Sequence, residues 1–343
     1  MVEAIIKEIY LQRHFLDEPV HTIYFGGGTP SLLRGNEISD ILKQIHENFI
    51  VDEKAEITLE ANPDDLSFSK LLELRAVGIN RLSIGLQTFN DSSLTYLNRA
   101  HSSKESKACF ELAKQAGFDN ISLDLIYAIP SESHDNWKVD LEEILRLRPT
   151  HISSYCLTIE NNTTFGNWLN KGKIKAVTEE FAARQFEILM DTLSACGYEQ
   201  YEISNFCKPE YQSKHNTNYW KQEAYLGIGP SAHSFHGHTR QYNVSNNSRY
   251  IKAIEGGAVP FTLDKLTRED QINEYIMTSL RTCWGCSFEK ISHSYDVDVR
   301  ADNQPYIDKL LNENLAYIKQ DALILTNHGK LLADKIASDL FYV

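Results

Sequence analysis

The run Gly26-Gly27-Gly28-Thr29-Pro30 directly follows the apolar segment Thr22–Phe25 and has the composition of a ligand-binding loop. Glycine has no side chain to obstruct a sharp turn, so its backbone can approach a ligand to hydrogen-bonding distance. A tight turn between a strand and a helix would explain the same run, although such a turn rarely needs three consecutive glycines. Ligand binding is therefore the favoured interpretation, with the plain turn as the alternative.

Isolated charged residues near other apolar segments could recognise parts of the same ligand. Asp124 interrupts the apolar run Ile121–Ile129, where a carboxylate must be paired or must bind a group such as a ribose hydroxyl. Glu60 could accept hydrogen bonds from the ammonium group of an amino acid, and Arg99 could bind a carboxylate bidentately. Taken singly, Glu60 and Arg99 fit exposed side chains better.

A second candidate site is the run His215-Asn216-Thr217-Asn218-Tyr219-Trp220. Imidazole is a good axial ligand for haem iron, and tyrosine and tryptophan offer flat apolar walls for a macrocycle. On chemistry alone, a histidine that orders a loop, with aromatic residues in the core, explains the pattern better.

The six cysteines are scattered along the chain and contain no Cys-x3-Cys-x2-Cys run. Cys283 and Cys286 form a single Cys-x2-Cys pair, which is half of a zinc or cluster site. Because no second pair accompanies it, a structural role is favoured for this pair.

Short apolar segments alternate with amphipathic helical patterns through the first two hundred residues, and these elements must position the candidate residues. The predicted strands are His21–Phe25, Glu56–Ala61, Arg81–Leu86, Asn120–Tyr127, His151–Leu157 and Tyr198–Ser204. The predicted helices between them are Glu37–Asn48, Leu66–Val77, Ser103–Ala116, Asp135–Leu147 and Thr178–Ala195. This alternation predicts a parallel sheet, and polar residues at the ends of several strands favour a complete or partial (β/α) barrel over an open sheet.

The sequence predicts three parts: a barrel over residues 1–205, a linking region over 206–262 and a small winged-helix-like α+β domain over 263–343. Within the linking region, His215–Gly229 is expected to be an ordered loop. The C-terminal pattern predicts helices at Glu269–Cys283, Ala301–Asn314 and Gly329–Leu340, and strands at Ala316–Lys319 and Ala322–Leu325. The chain begins with the helix Val2–Phe15, so we expect a preceding strand and loop upstream of Met1.

Composition limits the partners. The net charge of −13 argues against nucleic acid, because phosphate binding requires lysine and arginine. No run of eighteen apolar residues predicts a transmembrane segment, and no signal-peptide core begins the chain, so a cytoplasmic protein is expected. The oligomeric state, including a homodimer, is left open.

The motifs in order resemble the oxygen-independent coproporphyrinogen III oxidase family of radical S-adenosylmethionine (SAM) enzymes. The resemblance rests on GGGTP, EANP, RLSIGLQTF, LNR, DLIYAIP and YLGIGPSAHS, and it extends from about Val2 to the C-terminus. The His-Asn-x-x-Tyr-Trp pattern is similar to that of the haem-chaperone branch of this family. The resemblance implies an α/β fold, a partial TIM-like radical SAM barrel with a winged-helix-like C-terminal domain.

The resemblance also implies roles for the candidate residues. SAM would be held by the loop Gly26, Gly27, Gly28 and Thr29, by Glu60 at its amino group, by Gln87, Arg99 and Asp124, and more weakly by Thr158 and His233. Haem would be bound by His215, a candidate iron ligand, with Asn216, Tyr219 and Trp220. The implied function is a haem chaperone that passes haem to acceptor proteins, and the alternative is oxidative decarboxylation of coproporphyrinogen III by a SAM-derived radical.

Two departures from the family pattern stand out. Ala128 occupies a position where the family usually has glycine. The three cysteines that hold the four-iron four-sulfur cluster in radical SAM proteins are absent, and we expect their segment upstream of Met1. As written, the chain is expected neither to hold the cluster nor to cleave SAM reductively.

Overall fold

The computed structural model describes residues 1–161 and 163–342. Val343, the last residue of the predicted C-terminal domain, therefore lies outside the described residues. Contacts divide the chain into two compact units. The first contains Met1–Tyr24, Leu33–Ile57 and the chain from Ser213 onward, and the second contains Phe25–Leu32 and Thr58–Gln212. The division into three parts stays a prediction.

Seven strands form one sheet in the order β1-β2-β3-β4-β5-β7-β6. They are β1 (Val20–Phe25), β2 (Val51–Ala61), β3 (Arg81–Gln87), β4 (Asn120–Tyr127), β5 (His151–Cys156), β6 (Glu199–Glu202) and β7 (Asn205–Cys207). The strands β2 to β5 are parallel neighbours, which confirms the predicted partial barrel. The strand predicted at Tyr198–Ser204 is confirmed as β6, but its hairpin partner β7 was not predicted: β7 lies between β6 and β5 and is antiparallel to both. A connection of two residues is too short for the crossover that parallel strands need.

In the described residues up to Ala195 there are eight α-helices. They are α1 (Val2–Leu11), α2 (Gly35–Asn48), α3 (Phe68–Ala76), α4 (Asp91–Tyr96), α5 (Ser103–Gln115), α6 (Asp135–Leu147), α7 (Thr164–Asn170) and α8 (Glu179–Ala195). Along β3, the buried residues Leu82, Ile84 and Leu86 alternate with polar ones, so one face of the sheet is apolar. The opposite face carries the side chains of Ser83, Ser122, Asp124, His151 and Ser153, which contact one another.

A smaller antiparallel sheet follows, in the order β10-β9-β8. Its region contains α9 (Lys214–Lys221), β8 (His233–His236), β9 (Thr239–Asn243), α10 (Asn247–Glu255) and β10 (Phe261–Lys265). The loop predicted at His215–Gly229 is therefore wrong over its first residues, which belong to helix α9. The Ser213 hydroxyl caps this helix by accepting a hydrogen bond from the N–H of Asn216 at 3.2 Å.

The C-terminal segment forms a three-stranded antiparallel sheet with helices around it. Its elements are α11 (Arg268–Leu280), β11 (Cys286–Ser287), α12 (Phe288–Tyr295), α13 (Val299–Asp302), α14 (Gln304–Asn312), β12 (Ala316–Lys319), β13 (Ala322–Leu325), α15 (Asn327–Lys330) and α16 (Ala333–Asp339). Both predicted strands are confirmed, whereas the helix predicted at Ala301–Asn314 is divided at Asn303. Pro305 lies in the first turn of α14, where its missing N–H is tolerated, whereas inside one continuous helix it would remove a backbone hydrogen bond.

Candidate functional site

The glycine loop follows β1 and contacts the end of β2. Gly27 and Gly28 have φ values of +71° and +66°, which are in the left-handed region that favours glycine. A methyl group built on either residue would have no described atom within 4 Å, so the loop borders open space. The N–H of Gly27 donates a hydrogen bond to the carboxylate of Glu60 at 3.2 Å. The structure thus brings together two of the predicted elements.

Arg99 is connected to the same region through the E-A-N-P segment. Its guanidinium donates a hydrogen bond to the side-chain oxygen of Asn62 at 3.2 Å. Burial lowers the pKa of Arg99, and the nearby carboxylates of Asp64 and Asp124 oppose this effect. Arg99 is therefore half-buried and surrounded by acceptors, and it is not the surface arginine that its sequence context alone would suggest.

Asp124 lies on the polar face of the sheet, as its position in an apolar run predicts. The hydroxyl of Ser83 donates to it at 3.0 Å, and the hydroxyl of Ser122 donates at 3.0 Å. Burial raises the pKa of Asp124 to about 6, and these hydrogen bonds, with the charge of Arg81, act in the opposite direction. A carboxylate that accepts two hydrogen bonds and has remaining lone pairs can bind a further hydroxyl group.

The exit of β3 is fixed by a residue that sequence reasoning missed. Gln87 has φ +71°, and the next two residues bind Asp140 of α6: the hydroxyl of Thr88 donates to it at 2.8 Å and the N–H of Phe89 at 2.6 Å. Burial raises the pKa of Asp140 to about 6. Its position beside Leu141 on the buried face of α6 was the available signal, because a carboxylate on an apolar helix face needs partners.

Thr158 and His233 have less distinctive surroundings. Thr158 is exposed, and its hydroxyl donates to the carbonyl of Cys156 at 3.4 Å. Over residues 1–161 and 163–342, no hydrogen bond links it to the glycine loop, Glu60 or Asp124. His233 begins β8, in the other compact unit, and its exposed ring lies 5.7 Å from the ring of Tyr242.

His215 is held in place on helix α9 by three kinds of contact. Its Nδ1 lies 3.2 Å from the hydroxyl of Thr22, and its ring stacks on Tyr24 with centroids 4.5 Å apart. Tyr219 meets the same ring edge to face, with ring centroids 4.9 Å apart. The start of the helix is bound by the buried carboxylate of Glu56, which accepts the N–H of His215 at 3.1 Å. A negative charge is favourable at a helix N-terminus.

Tyr219 and Trp220 line a pocket of about 330 Å³. Its other lining residues are Gln222, Tyr225, Phe235, Arg240, Glu274, Met277 and Thr278. Arg240 and Glu274 form two parallel hydrogen bonds of 2.9 and 3.0 Å at this pocket. His215 and Asn216 do not line it, although both lie on α9, so the structure separates the four residues of the predicted haem motif into two pairs.

The residues of a metal cluster are not found in the part of the chain that the structure describes. No group of three or more histidine, cysteine, aspartate or glutamate side chains there could hold a metal ion. None of the six cysteines, all of which lie among the described residues, forms a disulfide; Cys283 is exposed and Cys286 is buried. The described residues therefore do not fit a four-iron four-sulfur cluster, and no chemical step is assigned to one. None of the described helices has the length and apolar character needed to cross a membrane.

Comparisons with known proteins agree with this architecture. Residues 2–144 match the model of the radical SAM superfamily, and residues 266–332 match that of the HemN C-terminal domain. The chain is 36% identical over 317 residues to the heme chaperone HemW of Bacillus subtilis, covering 92% of this chain and 84% of that protein. It is 34% identical over 335 residues to the heme chaperone HemW of Lactococcus lactis, covering 98% of this chain and 87% of that protein.

Among solved structures, the chain resembles coproporphyrinogen III oxidase (HemN) from Escherichia coli, which is a radical SAM enzyme. The TM-score is 0.82 at 24% identity, and the match covers 99% of this chain and 82% of that chain. At this identity the likeness shows the fold alone.

Proposed function

Because the chain belongs to the HemW family of radical SAM proteins, we propose that it is a haem chaperone, which binds haem and passes it to haem-accepting proteins. The observation that carries the proposal is helix α9, which presents His215 among aromatic rings and Tyr219 and Trp220 at a pocket. A cytoplasmic location is part of the same proposal.

The surroundings of His215 fit a ligand to haem iron. A histidine that binds a metal usually donates its other ring N–H to an oxygen, which fixes its orientation and tautomer. The hydroxyl of Thr22, 3.2 Å from Nδ1, can accept such a hydrogen bond, so that Nε2 would be the coordinating atom. Tyr24 stacks on the ring and restricts its rotation.

The pocket beside Tyr219 and Trp220 fits the apolar part of a macrocycle. Tyr225 and Phe235 provide two further aromatic walls, with ring centroids 6.2 Å apart. When bound, haem supplies the iron centre and two propionates, whereas these residues supply apolar contact and exclude water. In this proposal Asn216 belongs to the haem-binding motif through its position on α9.

We propose that the second compact unit binds SAM. The loop Gly26-Gly27-Gly28-Thr29 would supply backbone and hydroxyl contacts, and Glu60 would bind the amino group. Gln87, Arg99 and Asp124 would complete the site, with Thr158 as a further candidate in this unit. His233 belongs to the other compact unit and stays a candidate from the resemblance alone. The hydrogen bond between Gly27 and Glu60, and the effect of the Asp124 charge on the pKa of Arg99, support this assignment. When bound, SAM offers an amino acid, a ribose and a sulfonium group to these side chains.

Haem binding is tested by titrating the purified chain with ferric haem and recording the Soret absorbance. We expect His215→Ala to lose the spectrum of an imidazole-ligated haem and to bind haem at least about tenfold more weakly, since the iron loses its ligand. His46→Ala, at an exposed position on α2, is the matched control and should bind like the parent. Unchanged spectrum and affinity in His215→Ala would show that another residue is the ligand.

The alternative function is coproporphyrinogen III decarboxylation, which the likeness in fold to HemN keeps open. Because the described residues do not fit a cluster, we expect no turnover by this chain; the assay is anaerobic incubation of the purified protein, after treatment with iron and sulfide, with SAM, a reductant and coproporphyrinogen III. Conversion of the propionates to vinyl groups would overturn the chaperone proposal. Transfer of haem to an apo-cytochrome of the b type, without such conversion, supports it.

A further inference from the structure

We propose that Tyr201, His151 and Ser122 form a hydrogen-bond chain with one direction, which ends on Asp124 and keeps its carboxylate charged and oriented toward a ligand hydroxyl. These three side chains would be positioning residues. The inference deepens the SAM site proposed above and rests on it for its functional meaning. The direction of this hydrogen-bond chain depends on the protein alone and needs no bound ligand.

The four side chains make consecutive contacts inside the second compact unit. The hydroxyl of Tyr201 lies 2.8 Å from Nε2 of His151. Nδ1 of His151 lies 2.8 Å from the hydroxyl of Ser122, which in turn lies 3.0 Å from a carboxylate oxygen of Asp124. Tyr201, His151 and Ser122 are at most 1% exposed, so water does not compete for these hydrogen bonds.

The donor and acceptor capacity of each group fixes the direction. An ionised carboxylate only accepts, so the single proton of Ser122 must point to Asp124. The oxygen of Ser122 then accepts from His151, which requires the proton of the imidazole to be on Nδ1. Nε2 is left as an acceptor for the hydroxyl of Tyr201. In the opposite tautomer, with the proton on Nε2, Nδ1 would accept the proton of Ser122, and Asp124 would lose this donor.

His151 can act in this way because it is neutral. Burial lowers its pKa well below the usual value, and the charge of Arg81 acts in the same direction. A doubly protonated ring would donate to both neighbours and break the order of the chain.

A second acceptor is available to Ser122 when Asp124 is protonated. The Ser153 hydroxyl lies 3.1 Å from that of Ser122 and donates its own proton to Asn205 at 2.7 Å. Asn205 donates in turn to Glu202. The charged and titratable groups near Asp124 are therefore Arg81 on β3, Arg99 after α4, His151 and Tyr155 on β5 and, through the amide, Glu202 on β6.

The arrangement offsets the effect of burial on Asp124. Burial favours the protonated acid, whereas each donated hydrogen bond favours the carboxylate. A chain of oriented groups strengthens its last hydrogen bond, because each donor polarises the next. Removing a member should therefore make the carboxylate easier to protonate and weaken its contact with a ligand hydroxyl at neutral pH.

The direction is tested on the full chain without any ligand, by long-range proton–nitrogen NMR of protein labelled at histidine nitrogen. The His151 signals are assigned from their disappearance in His151→Gln. We expect the Nδ1–H tautomer, and its ring shifts should respond to Tyr201→Phe. An Nε2–H tautomer would overturn the proposal.

The functional meaning is tested by the pH dependence of SAM binding, measured by calorimetry from pH 5.5 to 8. Ser122→Ala should move the acid limb of binding upward by about one pH unit, and Tyr201→Phe by less in the same direction. Tyr198→Phe is the matched control, because its buried hydroxyl donates to the carbonyl of Pro149 at 2.7 Å and lies outside the chain. It should leave the pH profile unchanged.

The two failures can be distinguished. If SAM binds and all the profiles coincide, the positioning role is wrong. If SAM binds to none of the proteins, the proposed SAM site is wrong, and the NMR tautomer alone decides whether the hydrogen-bond chain runs toward Asp124.

Discussion

Glu8 is buried in the compact unit that contains α1, and its replacement by alanine should destabilise that unit strongly. Its fully buried carboxylate accepts hydrogen bonds from the N–H of Gly229 at 2.8 Å and from the side-chain amide of Asn243 at 2.7 Å. The hydroxyl of Tyr250 donates to it at 2.5 Å. One carboxylate thus connects the first helix to the YLGIGPSAHS segment, to β9 and to α10.

The magnitude follows from the donors that alanine would leave without an acceptor. A hydrogen bond to a charged group contributes about 1.5–3 kcal/mol, and these three are removed together with a longer one, of 3.3 Å, from the side-chain amide of Gln12. The sum is partly offset, because the variant no longer takes a charge out of water. Removing one partner from a buried charged network generally costs about 3–5 kcal/mol, and we expect Glu8→Ala to lie in this range. That is a large part of the about 5–15 kcal/mol that stabilises a folded domain.

The assay is urea unfolding at pH 7, followed by circular dichroism and tryptophan fluorescence. Glu3→Ala is the matched control, since Glu3 is exposed in the first turn of the same helix, and it should change the free energy of unfolding by less than about 0.5 kcal/mol. If Glu8→Ala destabilises the protein no more than Glu3→Ala does, the three hydrogen bonds do not hold this region together.

Two further predictions concern single positions. In Gly227→Ala the new methyl group would lie 2.0 Å from the carbonyl oxygen of His233, so we expect a loss of about 3 kcal/mol in urea unfolding, against little change for the exposed control Gly256→Ala. Asp140 is protonated up to a pH of about 6 in the folded chain but releases its proton near its usual pKa of 3.8 when unfolded. The free energy of unfolding therefore falls as pH rises through this window. Between pH 4 and 7 Asp140 contributes about 2 kcal/mol of that fall, and Asp140→Asn should remove this contribution. An Asp140→Asn slope equal to that of the parent, or of the exposed control Asp135→Asn, would contradict this reasoning.

The parallel part of the sheet could be predicted because its signals are local. In β3 and β4, buried apolar residues alternate with polar ones, and each strand is bounded by turn residues, so period and bounds can be found without knowing the partners. The boundary of β4, Asn120–Tyr127, was predicted without error. Asp124 was recognised for the same reason, as a charge inside an apolar run.

The elements that were missed depend on contacts between distant parts of the chain. Helix α9 has only eight residues and a polar sequence, which makes it marginal on its own. Its N-terminus is bound by Glu56, about 160 positions earlier, a partner that no local pattern indicates. The small sheet β8-β9-β10 was missed because its strands have only four or five residues, and in β10 the alternation of Phe261 and Leu263 with polar residues leads to no buried face.

Candidate residues could be chosen from the sequence by type, but their partners in the structure could not be predicted. Glu60 and Arg99 fitted exposed side chains when taken singly, yet each has a specific contact, with Gly27 and with Asn62. The sequence also did not predict that the residues of the haem motif are divided into two pairs. Residues i and i+4 of a helix lie on one face, so Tyr219 contacts His215. Of the four motif residues, however, only Tyr219 and Trp220 line the pocket.

The departure at Ala128 now has a backbone explanation. Ala128 has φ +61°, a left-handed conformation that disfavours residues with a side chain by about 1–2 kcal/mol, so the glycine usual in the family suits this position. The conformation is held by α8, since the N–H of Ala128 donates to the side chain of Gln185 at 2.6 Å. The indole N–H of Trp137 donates to the carbonyl of Gln185 at 2.9 Å, which fixes that residue in turn. The strand β3 also ends on a left-handed residue, Gln87. The backbone at the ends of both strands is therefore fixed by the helices packed behind the sheet, and this packing holds Ala128 in a strained conformation.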